Sequence, residues 1–357
     1  MRLESAQGLK QELLKRIVQP FLVRASRLST RDAMAVGARP FDTLPLIHRS
    51  VALGVAPHQG EYRLAVRVQR PSLVQSPLID LLTRQAKGEV DVRMIGRIDK
   101  RTKTDRATPR KTMPMPVSAA AAIPWYRRNT RPLLIGASVG HASVTAGTIG
   151  AFVRRGDATY LLSNNHVLAN EGLAKAGDWI LQRAVYDGGK QPSERVGRLR
   201  FWIKLKKTGT NLADAALAEI DASVRVDSSR LRGLVNGRDR KLAGLGPAFV
   251  DEKEAMFKIG RTTGPTEGRV TAFDMDNVIV NYDTGNLRFD NQIEIEGAGS
   301  KAFSDGGDSG SMIVNARMEA AALLFAGGDS GGSNGLGLTY ANPIQTVLKD
   351  LKATLLF

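Results

Sequence analysis

The chain has 357 residues, with 51 Lys and Arg against 35 Asp and Glu and a formal net charge of +16. This length predicts two or three domains, enough chain to bury a sizeable core. The absence of cysteine excludes disulfides, thiolate metal sites and a catalytic cysteine, and the 4 histidines are not paired at metal-ligand spacing. We therefore expect no metal or other cofactor, and no membrane span, because no apolar run approaches the roughly 20 residues that a span requires.

The positive charge is concentrated in the first third of the chain. Residues 1–133 hold 25 Lys and Arg and 10 Asp and Glu, an excess of 15, while residues 134–357 hold the remaining 26 and 25, an excess of 1. Such a basic segment either binds nucleic acid or another anionic surface, or serves as a solubilising attachment. The N-terminal residues interleave charged and apolar positions, unlike a signal peptide, so we expect a cytoplasmic protein.

The first hundred residues predict a helical lead and a small α+β domain. Apolar residues at helical spacing indicate one or two helices within residues 3–36, broken at Pro20. The elements predicted after them are, in order, strands at 50–57 and 61–68, a helix at 76–86 with Ser76 as its cap and Pro77 at its first position, and a strand at 90–96.

The remaining residues predict a linker and an all-β unit. Residues 101–131 are basic and then rich in Pro and Ala, without periodicity, which is typical of an exposed linker. Residues 132–357 contain short apolar runs bounded by Gly, Asn and Asp, the pattern of a barrel or sandwich. A closing helix is predicted at 342–356, with Asn342 as its cap and Pro343 at its first position.

Three residues of the β region have the character that nucleophilic catalysis requires. His166 follows an apolar strand in LLSNNHVLAN, Asp214 opens a strand-like stretch in NLADAALAEID, and Ser309 lies in a Gly-rich turn in FSDGGDSGSMIVN. A serine hydroxyl needs a base, and a histidine base needs a carboxylate that fixes its tautomer. Gly307 and Gly310 allow a turn whose backbone N–H groups converge on an anion.

These segments resemble the trypsin-like serine peptidases of the chymotrypsin clan, which share the order His, Asp, Ser. More specifically, the chain is similar to cysteine-free intracellular bacterial members and to plant narrow-leaf-type proteins, which show similar SNNHVL, GRTTG, GDSGS and LLFAG segments behind a small α/β domain. The resemblance covers residues 132–357 well and residues 45–100 more loosely. It implies a mainly β fold, a chymotrypsin-like double β-barrel, behind the small α+β domain of residues 1–100.

The resemblance also implies a role for each matching residue. His166 would be the general base and acid, Asp214 would orient it, and Ser309 would be the nucleophile. The backbone N–H groups of Gly307 and Ser309 would form the oxyanion hole. The residues implied for the specificity pocket are Phe303, Leu324, Phe325, Ala326 and Gly327. Phe303 stands six residues before the nucleophile, where basic-specific trypsins carry an acidic residue, which favours an apolar or small substrate side chain.

Each assignment has a competitor within the sequence. Asp221 competes with Asp214, and a second GDSG copy places Ser330 in competition with Ser309. In the clan, three strands and a helix follow the nucleophile, which fits Ser309 and not Ser330. The segment KIGRTTGPTEGRV, residues 258–270, lacks the Lys-Ser/Thr pair of a phosphate loop and is interpreted as turns between strands.

The sequence therefore predicts a serine endopeptidase that acts on protein or peptide substrates. The alternatives are esterase or other acyl-transfer chemistry in the same site, and a catalytically silent module that binds nucleic acid through the basic first third. The natural substrate and the oligomeric state stay open.

Overall fold

The computed structural model describes residues 1–18, 51–100, 122–144, 146–247 and 254–357. Its α-helices are α1 Leu3–Leu13, α2 Pro71–Val74, α3 Pro77–Gln85, α4 Asn165–Leu168 and α5 Ile344–Leu351. Strands of the first part are β1 Val51–His58, β2 Glu61–Val68, β3 Val90–Met94, β4 Asp99–Lys100, β5 Leu133–Leu134, β6 Ser138–His141, β7 Gly147–Thr148, β8 Ala151–Arg155, β9 Ala158–Ser163, β10 Trp179–Leu181, β11 Arg195–Trp202 and β12 Ala216–Ile220. The later strands are β13 Val226–Asp227, β14 Arg230–Val235, β15 Arg238–Lys241, β16 Gly244–Leu245, β17 Ala255–Gly260, β18 Gly264–Asp276, β19 Val278–Tyr282, β20 Gly285–Phe289, β21 Gln292–Gly297, β22 Met312–Val314, β23 Glu319–Gly327, β24 Thr339–Pro343 and β25 Thr354–Leu355.

The second barrel closes on itself. Antiparallel pairing runs from β17 to β18, then β21, β24, β23 and β22, and β22 returns to β17. Alternating side chains of these six strands point inward and form one apolar cluster. Its members include Met256, Val270, Ile295, Ile313 and Leu324.

The first barrel is an open, curved sheet in the order β25-β8-β9-β12-β11-β10-β6-β7. Buried apolar side chains of these strands fill its interior. The same cluster continues into α5 through Ile344, Val347 and Leu351. Because β25 pairs with β8, the chain ends on the first barrel after completing the second. The predicted double β-barrel is confirmed.

The residues before the barrels pack directly against the second one. β1 and β2 form a hairpin with a turn at Gln59 and Gly60, and β1 pairs with β18 at two positions. From α1, Lys10 is buried and its ammonium group lies 2.8 Å from a carboxylate oxygen of Asp274 and of Asp276. The predicted order of helix, strand, strand, helix and strand is observed with one further short helix, α2, before α3. The domain boundaries near residues 100 and 131 stay predictions.

Two helix ends differ from the sequence prediction. α3 begins at Pro77 with Ser76 at its N-cap position, but the Ser76 hydroxyl forms no hydrogen bond with a described residue. α5 begins at Ile344, so that Asn342 lies in β24 and is not the helix cap that the sequence predicted. Its side-chain oxygen instead accepts a hydrogen bond from the backbone N–H of Asp214, at 3.0 Å. A polar residue before a helix is typical of a cap, and the sequence does not show that the partner of Asn342 lies 128 residues away.

Parts of two predicted segments lie outside the described residues, namely 19–36 of the helical lead and 101–121 of the linker. The end of the linker is described, and Arg127 there donates to the carbonyl oxygens of Arg261 and Thr262, each at 3.2 Å. None of the helices in the described part of the chain has the length and apolar character needed to cross a membrane.

Candidate active site

The candidate site lies at the junction of the two barrels. His166 lies on α4, directly after β9, and Asp214 precedes β12, so the first barrel supplies both. Ser309 lies in the turn before β22 of the second barrel. The two halves meet at β7, where Thr148 N–H donates to the Ser309 carbonyl oxygen at 2.8 Å. A Cβ atom on Gly147 would lie 2.5 Å from Val167 and 3.1 Å from that same carbonyl oxygen, so the helix of His166 and the turn of Ser309 approach closely.

His166 and Asp214 form a buried hydrogen-bonded pair. The distance from His166 Nδ1 to Asp214 Oδ2 is 2.5 Å, and the His166 backbone N–H donates to Asp214 Oδ1 at 3.2 Å. Both side chains are 0% exposed. A carboxylate on Nδ1 fixes the tautomer in which Nε2 is the free base, and it stabilises the imidazolium that forms when Nε2 takes a proton.

Asp214 is held by three further residues. Tyr282 donates its hydroxyl to Asp214 Oδ2 at 2.5 Å, Asn342 accepts the Asp214 N–H, and Asn164 donates to the Asp214 carbonyl oxygen at 2.7 Å. Burial alone would raise the pKa of Asp214, but His166 and the Tyr282 hydrogen bond outweigh it and hold this pKa below the ordinary value. Burial and the Asp214 charge also raise the pKa of Tyr282 well above its ordinary value, so Tyr282 stays a donor at neutral pH.

The other imidazole nitrogen, Nε2, has no partner in the described part of the chain. His166 Nε2 is buried and forms no hydrogen bond with any described residue. The Ser309 hydroxyl is not bonded to it and donates instead to the Phe325 carbonyl oxygen, at 3.4 Å. This is a long hydrogen bond. Hydrogen bonds between catalytic groups are often long or misaligned without substrate.

The turn that carries Ser309 tolerates only glycine at two positions. Gly310 has a φ of +90°, and a Cβ there would lie 2.0 Å from Ser163 Oγ. Gly307 has a φ of +101°, and a Cβ there would lie 2.4 Å from Thr262 Oγ1. Both values lie in the region that glycine alone adopts readily. The glycines of this segment are therefore required by the close packing around Ser309.

Asp308, between those glycines, fastens this turn to the hairpin of β17 and β18. Its carboxylate accepts the N–H groups of Thr262 at 2.7 Å and of Asp305 at 3.0 Å, and the hydroxyl of Thr263 at 2.7 Å. Lys258 Nζ lies 3.2 Å from Asp308 Oδ2, with both side chains 0% exposed. The segment 258–270, interpreted from the sequence as turns between strands, thus holds the Ser309 turn in place through its contacts with Asp308.

The buried pair keeps Asp308 negative. Burial raises the pKa of a carboxyl group, but the Lys258 charge and the Thr263 hydrogen bond dominate and lower the pKa of Asp308. The pKa of Lys258 is lowered by its own burial, against the attraction of Asp308. Each charge is therefore tolerable only because the other is present.

The N–H groups of Gly307 and Ser309 are the two donors that the sequence resemblance implies for an oxyanion hole. The structure records no hydrogen bond from the N–H of Gly307 or of Ser309 to a described residue. The carbonyl oxygen of Gly307 is fixed by the Thr148 hydroxyl at 3.0 Å, and that of Gly306 by the Thr262 hydroxyl at 2.6 Å. Fixed carbonyl groups on one side of a turn constrain where its N–H groups lie, which is what an oxyanion site requires.

The competing residues lie elsewhere. Asp221 follows the opposite end of β12, where its N–H donates to the Val196 carbonyl oxygen. Ser330 donates to the Ile95 carbonyl oxygen at 3.1 Å and contacts neither His166 nor Asp214 through a recorded hydrogen bond.

The residues expected to line a specificity pocket are divided between two clusters. Phe303 and Leu324 pack inside the second barrel, where Phe303 faces the backbone of Gly268. Phe325 and Ala326 lie in a separate apolar cluster with Phe289 and Tyr340. Gly327 ends β23 beside them.

Sequence reasoning missed Tyr282, Asn342 and Lys258. Tyr282 and Lys258 lie in strands, where the sequence does not distinguish them from the other residues of the alternating pattern. For Lys258 a signal was present, because it is a cation in an otherwise apolar strand end just before the turn. Tyr282 and Asn342 lie 68 and 128 residues from Asp214, and only the folded chain joins them to it.

No protein-family model and no curated protein sequence matches this chain. Solved serine proteases are among the structures that are similar to this chain. Thermobifida fusca protease A is 17% identical with a TM-score of 0.45, over 62% of this chain and 97% of that one. A glutamic acid specific serine protease that uses a histidine triad in substrate binding is 23% identical with a TM-score of 0.45, over 63% and 100%. Cellulomonas bogoriensis chymotrypsin is 19% identical with a TM-score of 0.42, over 62% and 97%.

Removing the Tyr282 hydroxyl tests the environment of Asp214. The lowered pKa of Asp214 stabilises the fold above the pKa of an unfolded aspartate, and this contribution is lost as pH falls through the folded value. We expect Tyr282→Phe to lower the free energy of unfolding at pH 7 by about 1.5–3 kcal/mol, the usual worth of a hydrogen bond to a charged group. Urea denaturation at pH 7 and near pH 3 measures this loss, which should shrink in acid.

Tyr62→Phe is the matched control, because its hydroxyl donates to no described residue. It should change the free energy of unfolding little at either pH. An equal loss for Tyr282→Phe at both pH values would contradict a role in stabilising the Asp214 charge.

Removing the Lys258 ammonium tests the support of the serine turn. Lys258→Met leaves the Asp308 carboxylate buried without a cation, and we expect a loss of about 3–5 kcal/mol in unfolding free energy. The double variant with Asp308→Asn should recover part of this loss, because no buried charge then remains. Thermal and urea unfolding measure both, with the exposed strand residue Lys241→Met as control. A Lys258→Met loss no larger than that of Lys241→Met would show that the pair does not hold the turn.

Proposed function

We propose that this protein is a serine endopeptidase with Ser309 as nucleophile, His166 as base and Asp214 as the residue that orients the base. One observation supports this above all others. A buried imidazole has Nδ1 bonded to a carboxylate and Nε2 without a partner among the described residues, and the helix that carries it meets the Ser309 turn at Gly147. A histidine with a purely structural role would be expected to satisfy both ring nitrogens.

The chemistry follows from these positions. The Ser309 hydroxyl leaves the Phe325 carbonyl, gives its proton to His166 Nε2 and forms a bond to the substrate carbonyl carbon. Negative charge then develops on the substrate oxygen, where the N–H groups of Gly307 and Ser309 are its proposed donors. The C–N bond breaks as His166 returns the proton to the leaving amine. Water, deprotonated by His166, releases the acyl group and restores Ser309.

The alternatives differ in how well the site fits them. A catalytically silent binding module does not require a buried carboxylate that fixes a histidine tautomer. It also does not require a glycine turn held by a buried ion pair, so the site does not support this alternative. Ester hydrolysis uses the same groups and is separated from peptide hydrolysis by substrate. We place the proposed activity in the cytoplasm, since a chain with 0 cysteines requires no oxidising compartment to fold.

The proposal is tested by hydrolysis of a peptide library with substituted chains. Ser309→Ala and His166→Ala should each lower the rate by roughly 10⁴–10⁶-fold, because triad members act as a unit. Asp214→Asn should cost about 10⁴-fold through the wrong imidazole tautomer. Ser330→Ala, which alters the other GDSG copy, should keep the unsubstituted rate. Activity that survives Ser309→Ala and is lost in Ser330→Ala would refute the assignment, and cleavage of esters without peptides would reassign the activity.

A further inference from the structure

One edge of β23 is shared by three segments of the chain. The opposite edge is covered by β24 along most of its length. On the shared edge, β22 pairs with residues 320–323, and the serine turn follows, with Gly310 N–H donating to the Leu324 carbonyl oxygen at 2.8 Å. β4 then takes the last two positions, with Lys100 opposite Ala326 and Asp99 opposite Gly327. The serine turn therefore lies between β22 and β4.

The register of β4 places its C-terminal end toward the nucleophile. β4 is antiparallel to β23, and Lys100 lies opposite Ala326, one residue from Phe325. The carbonyl oxygen of Phe325 is the group that Ser309 contacts. An extended peptide that adds to a sheet edge gains affinity from main-chain hydrogen bonds. A peptide that brought its carbonyl group to Ser309 from this side would run along residues 325–327 in the direction of β4.

Two isoleucines anchor β4 and the residues before it. Ile95 and Ile98 are buried in the cluster that contains Phe325 and Ala326. The Ile98 carbonyl oxygen accepts the N–H of Asn281 on β19, at 2.9 Å. Ser330 donates to the Ile95 carbonyl oxygen, so the second GDSG copy holds this segment in place.

The side chain of Lys100 occupies a built acidic site. Its ammonium group bonds to the Glu171 carboxylate and lies 2.6 Å from Asp283 Oδ2. Glu171 is five residues from His166, its side chain is 2% exposed, and it also accepts the N–H of Thr284 at 2.9 Å. Burial would raise the pKa of Glu171, but the Lys100 and Thr284 contacts prevail and lower it. A buried carboxylate at this register requires a cation opposite it.

We propose that β4, which pairs with residues 326 and 327 of β23, occupies the edge along which an extended peptide would approach Ser309, and that it thereby acts as an internal inhibitor of the intact chain. A substrate displaces β4 and places its own Lys or Arg between Glu171 and Asp283, at the register of Lys100. The substrate class is therefore an extended peptide with a basic residue one position before the residue opposite Phe325. This inference rests on the proposed peptidase function, of which it names the substrate and the regulation.

Charge reversal at Lys100 tests the displacement. Lys100→Glu repels Glu171 and Asp283 and should release β4, whereas Arg97→Glu makes the same charge change on a side chain that is 70% exposed. The first readout needs no catalysis. Each change is made in the full Ser309→Ala chain, and binding of a fluorescein-labelled synthetic peptide with the sequence of residues 95–100 is measured by fluorescence anisotropy. We expect Lys100→Glu to bind it at least tenfold more tightly than the parent or Arg97→Glu. A peptide with Glu in place of its Lys should bind at least tenfold more weakly.

Equal binding by all three chains would refute the inhibitor role of β4. Binding by none of them would refute the claim that this edge of β23 binds an extended peptide. Hydrogen exchange should rise in residues 95–100 of Lys100→Glu and stay unchanged in β17 and β18. If exchange rises throughout, Lys100→Gln provides the same comparison in a milder variant.

Peptide hydrolysis by the chains that retain Ser309 separates this inference from the proposed function. Lys100→Glu should cleave basic peptides at least tenfold faster than the parent or Arg97→Glu. If the chains bind the peptide as predicted but none of them cleaves it, peptide binding at the β23 edge is supported and the proposed peptidase function is refuted. If all chains cleave peptides equally and bind them equally, the proposed peptidase function is supported and inhibition by β4 is refuted.

Discussion

A carboxylate that is removed from water must be surrounded by donors or paired with a cation, and the site depends on this constraint twice. Asp214 meets it in the first barrel with His166 and Tyr282, and Asp308 meets it in the second with Lys258 and the N–H groups around it. Satisfying the first charge fixes the orientation of His166. Satisfying the second fixes the turn that carries Ser309. Two independently buried carboxylates, one in each barrel, thus position His166 and Ser309.

The junction between the barrels is where these groups meet, and the N-terminal part of the chain reaches the same place. β1 joins β18, and β4 lies between β19 and β23, so the second barrel extends its sheet with strands from the front of the chain. This arrangement brings Lys100 to Glu171, which lies on the loop that follows His166. The same loop therefore connects His166 to β4, which pairs with β23 close to Ser309.

Much of this was predictable from the sequence, for identifiable reasons. Turn residues between short apolar runs predicted a β fold, and the glycines around Ser309 predicted the tight turn, because both signals are local. The pairing of β1 with β18 and of β4 with β23 was not predictable, since register between distant strands is decided by packing. Asn342 shows the limit for the site. Its neighbours Pro343 and Ile344 made a helix cap the local interpretation, while its actual partner is the N–H of Asp214.

The central claim is that Ser309 is the residue that His166 activates. Reaction of the full chain to completion with a fluorophosphonate, followed by tandem mass spectrometry of its peptides, locates the covalent bond directly. We expect a phosphonyl group on Ser309 in the unsubstituted chain and none in His166→Ala, because a hydroxyl without its base is a weak nucleophile. A label on Ser330, or equal labelling of Ser309 with and without His166, would contradict it.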